Sequence, residues 1–275
     1  MKAVGGAFFV KCGDELQTCS VRGKVKRDFE IYVGDYVEAE DGVIESVYPR
    51  KNRMIRPYIA NLDALIIVVA PVPEPDWNLV EKLLLNCHEQ NIEPVIAYNK
   101  IDLTSDAAEK LRPYEKDVKT VAVSAKTGEN IDELRRIIDG RLVSFCGQSA
   151  VGKSSLINAL GGKKLETGEL SRKIQRGKNT TRHVEIYDLP NGRIADTCGF
   201  SVMENIDIEP EELIYYYDEF LAVQNQCRFA NCTHTGEPDC AVKKGLENGT
   251  INKDRYERYV KLYEELLERR KKKYE

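Results

Sequence analysis

The chain lacks any apolar stretch long enough to cross a bilayer. Its longest, Ala64 to Val72, is far short of the ~20 residues that a spanning helix needs. Met1 is followed by Lys2 and a glycine pair rather than by an apolar core and a small-residue cleavage site, so no secretory signal is expected. A large excess of charge of one sign is also missing. The 41 Lys and Arg oppose 45 Asp and Glu, a formal net charge of −4, which permits a nucleic-acid partner through local patches only. No internal repeat or low-complexity tract interrupts the 275 residues. With 42% hydrophobic and 31% charged residues, the balance is that of a globular, cytoplasmic protein. At about 100–200 residues per domain, the length allows one large domain or two to three small ones.

The cysteines do not read as a disulfide framework. Cys12, Cys19, Cys87, Cys146 and Cys198 stand singly, whereas Cys227, Cys232 and Cys240 are bunched around His234. A chain this long buries a core without disulfide staples. Five free thiols and one metal site in a reducing compartment are expected. The spacing Cys227-x₄-Cys232-x-His234-x₅-Cys240 puts three thiolates and one imidazole within fourteen residues. That is the donor set of a closed, structural Zn²⁺ site. A disulfide with a spare thiol, or unrelated buried cysteines, are the alternatives.

Three regions differ in pattern. Residues 1–55 read as short strands (Phe8–Val10, Gln17–Val21, Glu30–Val33, Tyr36–Ala39, Val43–Val47) separated by glycine or charged turns, the pattern of a small all-β barrel. Arg50, Lys51, Arg53 and Arg56 follow as a basic joint. Residues 56–208 alternate apolar strands (64–70, 94–98, 120–123, 141–146) with helices at 76–91, up to Ile138 and from Gly152. This alternation indicates an α/β domain with a mostly parallel sheet. Asn130 is placed to cap the helix ending at Ile138, and Val184–Asp188 with Arg193–Ala195 reads as an added hairpin. Residues 209–275 read as one helix over Glu211–Val223, the Cys/His cluster, and a second helix over Asp254–Lys273. In the last helix Val260, Tyr263 and Leu267 read as core rather than as a binding stripe.

Between a strand and a helix lies Gly147-Gln148-Ser149-Ala150-Val151-Gly152-Lys153-Ser154-Ser155, a full G-x-x-x-x-G-K-[ST] phosphate loop in the context that motif requires. Its glycines let successive N–H groups curl toward phosphate oxygens. Lys153 can neutralise the outer phosphates, and Ser154 can ligate Mg²⁺ beside a helix N-terminus. Two further loops select the base. Asn99-Lys100-Ile101-Asp102 follows a strand and matches N-K-x-D. The Asp102 carboxylate is acceptor-only, so it suits the adjacent ring N–H and amino donors of guanine, which adenine does not offer. Asn99 can meet the guanine edge or hold neighbouring loops, and the Lys100 stem can cover the base. Ser124-Ala125-Lys126 resembles the S-A-K element whose backbone N–H meets the guanine carbonyl.

The order is inverted relative to ordinary GTPases, because the base-reading loops precede the phosphate loop. Asp196-Thr197-Cys198-Gly199 then resembles D-x-x-G, with Asp196 holding Mg²⁺ through water and the Gly199 N–H sensing the γ-phosphate. Thr180 and Thr181 stand where a switch threonine reaches Mg²⁺. This is the pattern of a circularly permuted GTPase, and its γ-phosphate-sensing loop leads directly into the C-terminal region. Phe200 occupies the position of a water-orienting glutamine, and a phenyl ring cannot orient water. Hydrolysis then depends on another group or a partner, or is slow. Basic runs at Arg172–Arg182 and Arg269–Lys273 add salt-dependent phosphate affinity.

Over nearly its whole length the chain resembles the bacterial small-ribosomal-subunit biogenesis GTPases, the RsgA family, in its ordered set NKID, SAK, GQSAVGKSS, DTCGF and CRFANCTH with Cys240. The resemblance implies an N-terminal OB-fold, a circularly permuted P-loop GTPase domain and a C-terminal helical zinc domain. It also implies binding of GTP, GDP, Mg²⁺ and one Zn²⁺, with ribosome-stimulated hydrolysis in late small-subunit maturation. The partner expected is the small subunit and its rRNA, with no DNA or membrane, and the protein a monomer. Where the family reads G-R-H-T-T-T, this chain has Gly177-Lys178-Asn179-Thr180-Thr181-Arg182, and Asn179 cannot act as a general base. A nucleotide-gated rRNA scaffold and a permuted GTPase of the large subunit are the rival readings.

Overall fold

The computed structural model of the chain describes residues 1–4, 6–55, 58–161, 184–197 and 208–274. Three strands, β1 (Lys2–Val4), β2 (Ala7–Cys12) and β3 (Glu15–Val21), open it as an antiparallel meander. Helix α1 (Gly23–Asp28) leads to the antiparallel pair β4 (Val37–Glu40) and β5 (Val43–Val47), and β5 joins β3 in parallel. The strand expected over Glu30–Val33 reduces to one bridge, Val33 to Ile59. There the Asp35 carboxylate accepts the Tyr32 N–H at 2.7 Å, a local turn that competes with ladder bonding. The basic joint is partly consumed by structure. Arg50 makes a two-pronged pair with Asp35, at 2.7 Å for each contact, and Lys51 pairs with Asp63. The hairpin β6 (Arg53–Ile55) and β7 (Tyr58–Ala60) completes this region.

The alternating region follows as β8 (Ala64–Val69), α2 (Trp77–Glu89), β9 (Glu93–Tyr98), α3 (Ala107–Leu111), β10 (Lys119–Ala122), α4 (Ile131–Ile138), β11 (Leu142–Cys146) and α5 (Lys153–Gly161). The hairpin β12 (Val184–Leu189) and β13 (Gly192–Thr197) lies where it is expected. Among the described residues one 11-stranded sheet runs in the order β10-β9-β8-β11-β13-β12-β1-β2-β3-β5-β4. Strands β10, β9, β8, β11 and β13 are parallel. The N-terminal strands continue that sheet through β1 on β12, where Lys2 faces Glu185 with a 3.1 Å ion pair.

Strand β8 is apolar at every position because both its faces are covered. Period-two alternation sends Leu65, Ile67 and Val69 toward Val80, Leu83 and Cys87 of α2, and Ala64, Ile66 and Val68 toward α4 and α5. Asn130 is the N-cap residue of α4, as expected, but its side chain makes no capping hydrogen bond. It adopts a left-handed φ of 57° and its amide instead donates to the Ala122 carbonyl at 2.8 Å, tying the start of α4 to the end of β10.

The C-terminal part holds a 3₁₀ turn (Pro210–Tyr216), α6 (Asp218–Gln224), α7 (Ala241–Glu247) and α8 (Lys253–Tyr274). The single helix expected over Glu211–Val223 is thus two pieces. The break at Tyr217 drops its ring between Phe220 and Tyr259, each at 5.1 Å. Tyr263 is buried in this third core and Val260 and Leu267 pack against it, as core residues rather than a binding stripe. Among the described residues no helix is long and apolar enough to cross a membrane.

A buried charge cluster joins the two parts. Glu81 of α2 lies 3.2 Å from Arg258 and 3.7 Å from Arg255, and Arg255 reaches Asp117 at 2.6 Å and Glu219 at 3.0 Å. Burial pushes the Glu219 carboxyl up to about 7, against the pull of Arg255, with Asp117 and Glu81 adding to the rise. Its folded value is raised, so its contribution to stability is full below the ordinary carboxylate range and is lost as pH rises through about 7. The melting temperature is therefore expected to fall by several degrees between pH 5 and pH 8. Glu219→Gln, neutral throughout, should flatten that fall in calorimetry. A parallel fall in wild type and variant is the contrary result.

Candidate nucleotide and metal sites

In an open parallel sheet the loops beyond the carboxyl ends of the strands gather on one edge. Here β8, β9, β10, β11 and β13 share that direction, so 70–76, Asn99–Asp102, Ser124–Lys126 and Gly147–Gly152 follow strand ends on the same edge, and Asp196 lies one residue before the end of β13. The tertiary structure thus reunites loops that permutation separates in the chain.

The phosphate loop depends on its two glycines. Gly147 has φ +126° and Gly152 φ +96°; an added Cβ would lie 2.2 Å from the Val68 carbonyl oxygen in the first and 2.3 Å from the Asn99 amide nitrogen in the second. Neither position accepts a side chain. The Lys153 ammonium is folded over the loop, donating to the carbonyls of Gly147 at 2.8 Å and Gln148 at 2.6 Å. Burial lowers its pKa, so a nearby anion would relieve it. Ser154 and Ser155 are exposed at the start of α5, and Ser149 and Ala150 are exposed on the loop, with Val151 buried beneath.

The base-reading segment is clamped to this loop. Asn99, 1% exposed, donates from Nδ2 to the Val151 carbonyl at 2.9 Å and accepts the Ala125 N–H at 3.1 Å. Of the two roles open to it from sequence, the structure carries the loop-holding one. Lys100 has a left-handed φ of 65° and donates to the carbonyls of Ala150 at 2.8 Å and Val72 at 2.6 Å. Asp102 accepts the Ser124 hydroxyl at 2.7 Å and faces the Lys126 ammonium at 3.7 Å. The Ser124 hydrogen bond first, then Lys126, hold its carboxyl below the ordinary range despite partial burial. It is an ionised acceptor at neutral pH.

Asp196 stands near the end of β13, opposite Glu185 of β12 and beside the strand that feeds the phosphate loop. Thr180, Thr181, Gly199, Asn179, Cys198 and Phe200 lie outside the described residues, as does the basic run Arg172–Arg182. Of the C-terminal basic run, Arg270 pairs with Glu211 at 2.9 Å while Lys271 and Lys272 are exposed.

The ligand atoms of Cys227, Cys232, His234 and Cys240 all lie within 4.8 Å of one another. His234 Nδ1 is 3.3 Å from Cys240 Sγ and 3.6 Å from Cys227 Sγ. A tetrahedral ion with Zn–S of about 2.3 Å and Zn–N of about 2.0–2.1 Å requires such edges of roughly 3.5–3.8 Å. The donor set and its spacing therefore fit Zn²⁺. Cys240 is the N-cap residue of α7, without a side-chain capping bond; burial pushes its thiol up, and the Ala241 N–H donates to Cys227 Sγ at 3.3 Å. The loop is stitched to α8 by Tyr256 and Tyr259, whose hydroxyls donate to the carbonyls of His234 at 2.8 Å and Thr233 at 2.9 Å. Burial opposes ionising Glu237, but the Thr233 and Gly236 donors outweigh it and hold that carboxyl at about 2.

The Glu81–Arg255 cluster matches no sequence motif, yet it leaves a signal: Arg255 falls on the same helical stripe as Tyr259, Leu262 and Leu266, and a charge on an apolar stripe points to a buried partner.

Residues 47–206 match the family profile described as RsgA GTPase. The small ribosomal subunit biogenesis GTPase RsgA of Thermotoga petrophila is 43% identical over 268 residues, covering 92% of this chain and 90% of that protein. That of Clostridium beijerinckii is 39% identical over 288 residues, covering 100% and 98%. Among solved structures, YjeQ from Thermotoga maritima superposes with a TM-score of 0.78 at 39% identity, covering 92% and 91% of the two chains. YloQ, described as a circularly permuted GTPase, gives 0.77 at 30% identity, covering 98% and 93%.

Proposed function

The chain belongs to the RsgA GTPase family, and from that premise we propose that it hydrolyses GTP to GDP and phosphate in late maturation of the small ribosomal subunit. The observation that carries the reading is the convergence of both base-reading loops, the phosphate loop and Asp196 on one edge of the sheet. Residues 1–55 form an OB-type RNA-binding unit, 56–208 the permuted GTPase domain and 209–275 the zinc domain. The protein works as a cytoplasmic monomer on the small subunit and its rRNA.

In this reading the loop from Gly147 to Ser155 binds the phosphates through its N–H groups, and Lys153 exchanges its loop carbonyls for phosphate oxygens. Asp102 takes the two guanine donors. Ser124, Ala125 and Lys126 close the base pocket, and Asn99 and Lys100 keep it in register with the phosphate loop. Ser154 and Asp196 would hold Mg²⁺, which would supply positive charge against the phosphate oxygens. Thr180, Thr181 and Gly199 complete the γ-phosphate contacts. Cys227, Cys232, His234 and Cys240 hold a structural Zn²⁺. The chain offers asparagine and phenylalanine at Asn179 and Phe200, so water is activated mainly in the presence of the ribosomal particle.

GTP hydrolysis by the purified protein, alone and with separated small or large subunits, tests this. Stimulation by small subunits only is expected; no turnover with small subunits present would refute it. Asp102→Asn tests the base assignment. Its amide presents one acceptor and one donor, which no longer suits guanine but suits xanthine, whose ring carries a carbonyl where guanine carries the amino group. Losing charge-assisted bonds of about 1.5–3 kcal/mol predicts roughly a hundredfold weaker GTP binding and a gain with xanthosine triphosphate. Unchanged selectivity would remove Asp102 from the base site.

A further inference from the structure

The loop 70–76, which precedes α2, carries no motif, yet two side chains of the nucleotide edge hold it. Gln148 of the phosphate loop accepts the Asp76 N–H at 2.9 Å and donates to the Glu74 carbonyl at 3.2 Å, while Lys100 donates to Val72. Asp76 is the N-cap of α2, its carboxylate accepting the Leu79 N–H at 3.0 Å. The phosphate loop therefore grips the first turn of a helix of 13 residues, a rod of about 20 Å.

The same rod is locked at its middle and far end to the C-terminal domain. Glu81, 2% exposed, meets Arg255 and Arg258 of α8 and accepts the Tyr114 hydroxyl at 3.0 Å. Lys82 pairs with Glu265 at 2.5 Å, Leu85 is part of the third core, His88 packs edge-on against Tyr216 at 4.7 Å, and Glu89 accepts the Tyr216 hydroxyl. A buried, multiply paired guanidinium is a poor sliding joint. Separating Arg255 from Glu81, Asp117 and Glu219 would strand two charges, on Arg255 and Glu81, that are almost fully desolvated. A displacement of α2 must carry α8 with it or break the cluster.

We propose that α2 mechanically couples the phosphate loop to the zinc domain, with Gln148 as the positioning residue at its first turn and the Glu81–Arg255 pair at its middle. This rests on the GTP-binding reading of the site but not on the identity of the ribosomal partner. It is a second route, separate from the chain segment that runs from the Asp196 loop into the C-terminal domain. Coupling of this kind is reciprocal and amounts typically to 5–150-fold between sites, and it requires direct coupling evidence rather than proximity.

The test is amide hydrogen exchange over residues 218–224 and 253–274 of the full-length, zinc-loaded protein, saturated with GDP or with a non-hydrolysable GTP analogue. Wild type should show at least about a fivefold difference in exchange between the two nucleotides. Glu81→Gln and Gln148→Ala should each shrink that ratio toward one. Lost stability alone raises exchange equally with both nucleotides and leaves the ratio intact, and that result would overturn the proposal. So would no difference in wild type, or a ratio surviving both substitutions, as when the covalent segment alone carries the signal. Gln148 lies on the loop surface, so its variant decides the matter even where Glu81→Gln does not fold. Equilibrium dialysis of the same samples separates these results from a failure of wild type to bind nucleotide, which would remove the premise too.

Discussion

Replacing Lys153 with alanine is expected to lower kcat/KM for GTP by about 10²–10³-fold, the cost of losing one preorganised electrostatic donor at a phosphoryl centre. The expectation follows from where the ammonium sits. It is desolvated, and its hydrogen bonds go to the Gly147 and Gln148 carbonyls of the loop itself. Those bonds keep a positive charge over the cradle at little reorganisation cost, and the charge is worth more where water is excluded. Alanine removes the charge and two loop hydrogen bonds, each a net contribution of about 0.5–1.5 kcal/mol, so the melting temperature should fall by only a few degrees. Arginine should not restore turnover, because a planar guanidinium does not fit a cradle shaped around a compact ammonium. Steady-state hydrolysis with thermal melts of wild type, Lys153→Ala and Lys153→Arg checks this. A loss under tenfold would mean that the loop N–H groups alone carry phosphate binding.

Stripping the metal, or replacing Cys240 with serine, should unfold the C-terminal domain while the sheet domain stays folded. The segment 227–240 carries no helix or strand of its own, so its shape depends on the four ligands and on the two tyrosine hydrogen bonds to α8. Structural Zn²⁺ contributes about 10–16 kcal/mol in small zinc modules near neutral pH, comparable to the ~5–15 kcal/mol stability of an entire domain. Without a cation the sulfurs also repel ionisation, and burial with its neighbours pushes the Cys232 thiol up to about 12; a divalent ion reverses that balance. Chelation should therefore lower helical circular dichroism and expose Tyr259 and Phe220 to proteolysis, with GTP binding retained. Unchanged protection of α8 after complete metal removal would make the site dispensable for folding.

The motifs were legible because their residue types are dictated by local chemistry. Gly147 and Gly152 are required by positive φ and close backbone approach, and the bunching of Cys227, Cys232, His234 and Cys240 in the chain is matched by their gathering in space. Helix α8 and the β12–β13 hairpin were legible through periodicity. Other features escaped because a competing contact won. The Glu30–Val33 strand gave way to the local Asp35 turn, and the Asn130 side chain donates to the Ala122 carbonyl instead of capping α4. The helix after Pro210 is broken at Tyr217, whose ring fills a space defined by Phe220 and Tyr259, residues remote or hidden in the linear pattern.

What the sequence by itself determined was a set of short motifs: a G-x-x-x-x-G-K-[ST] loop, an N-K-x-D element placed before it in a permuted order, and a Cys₃His cluster. Each is a short run whose side chains answer to bond geometry within a few residues. Tertiary structure alone decided that Asn99 clamps loops, that Lys100 and Gln148 hold the loop before α2, and that Arg50 and Arg270 serve ion pairs rather than stand free. It alone joined the N-terminal strands to the GTPase sheet and locked α2 to α8 through Glu81 and Arg255. These depend on which distant groups are desolvated together, and burial is a property of the assembled core that no local run of residues specifies.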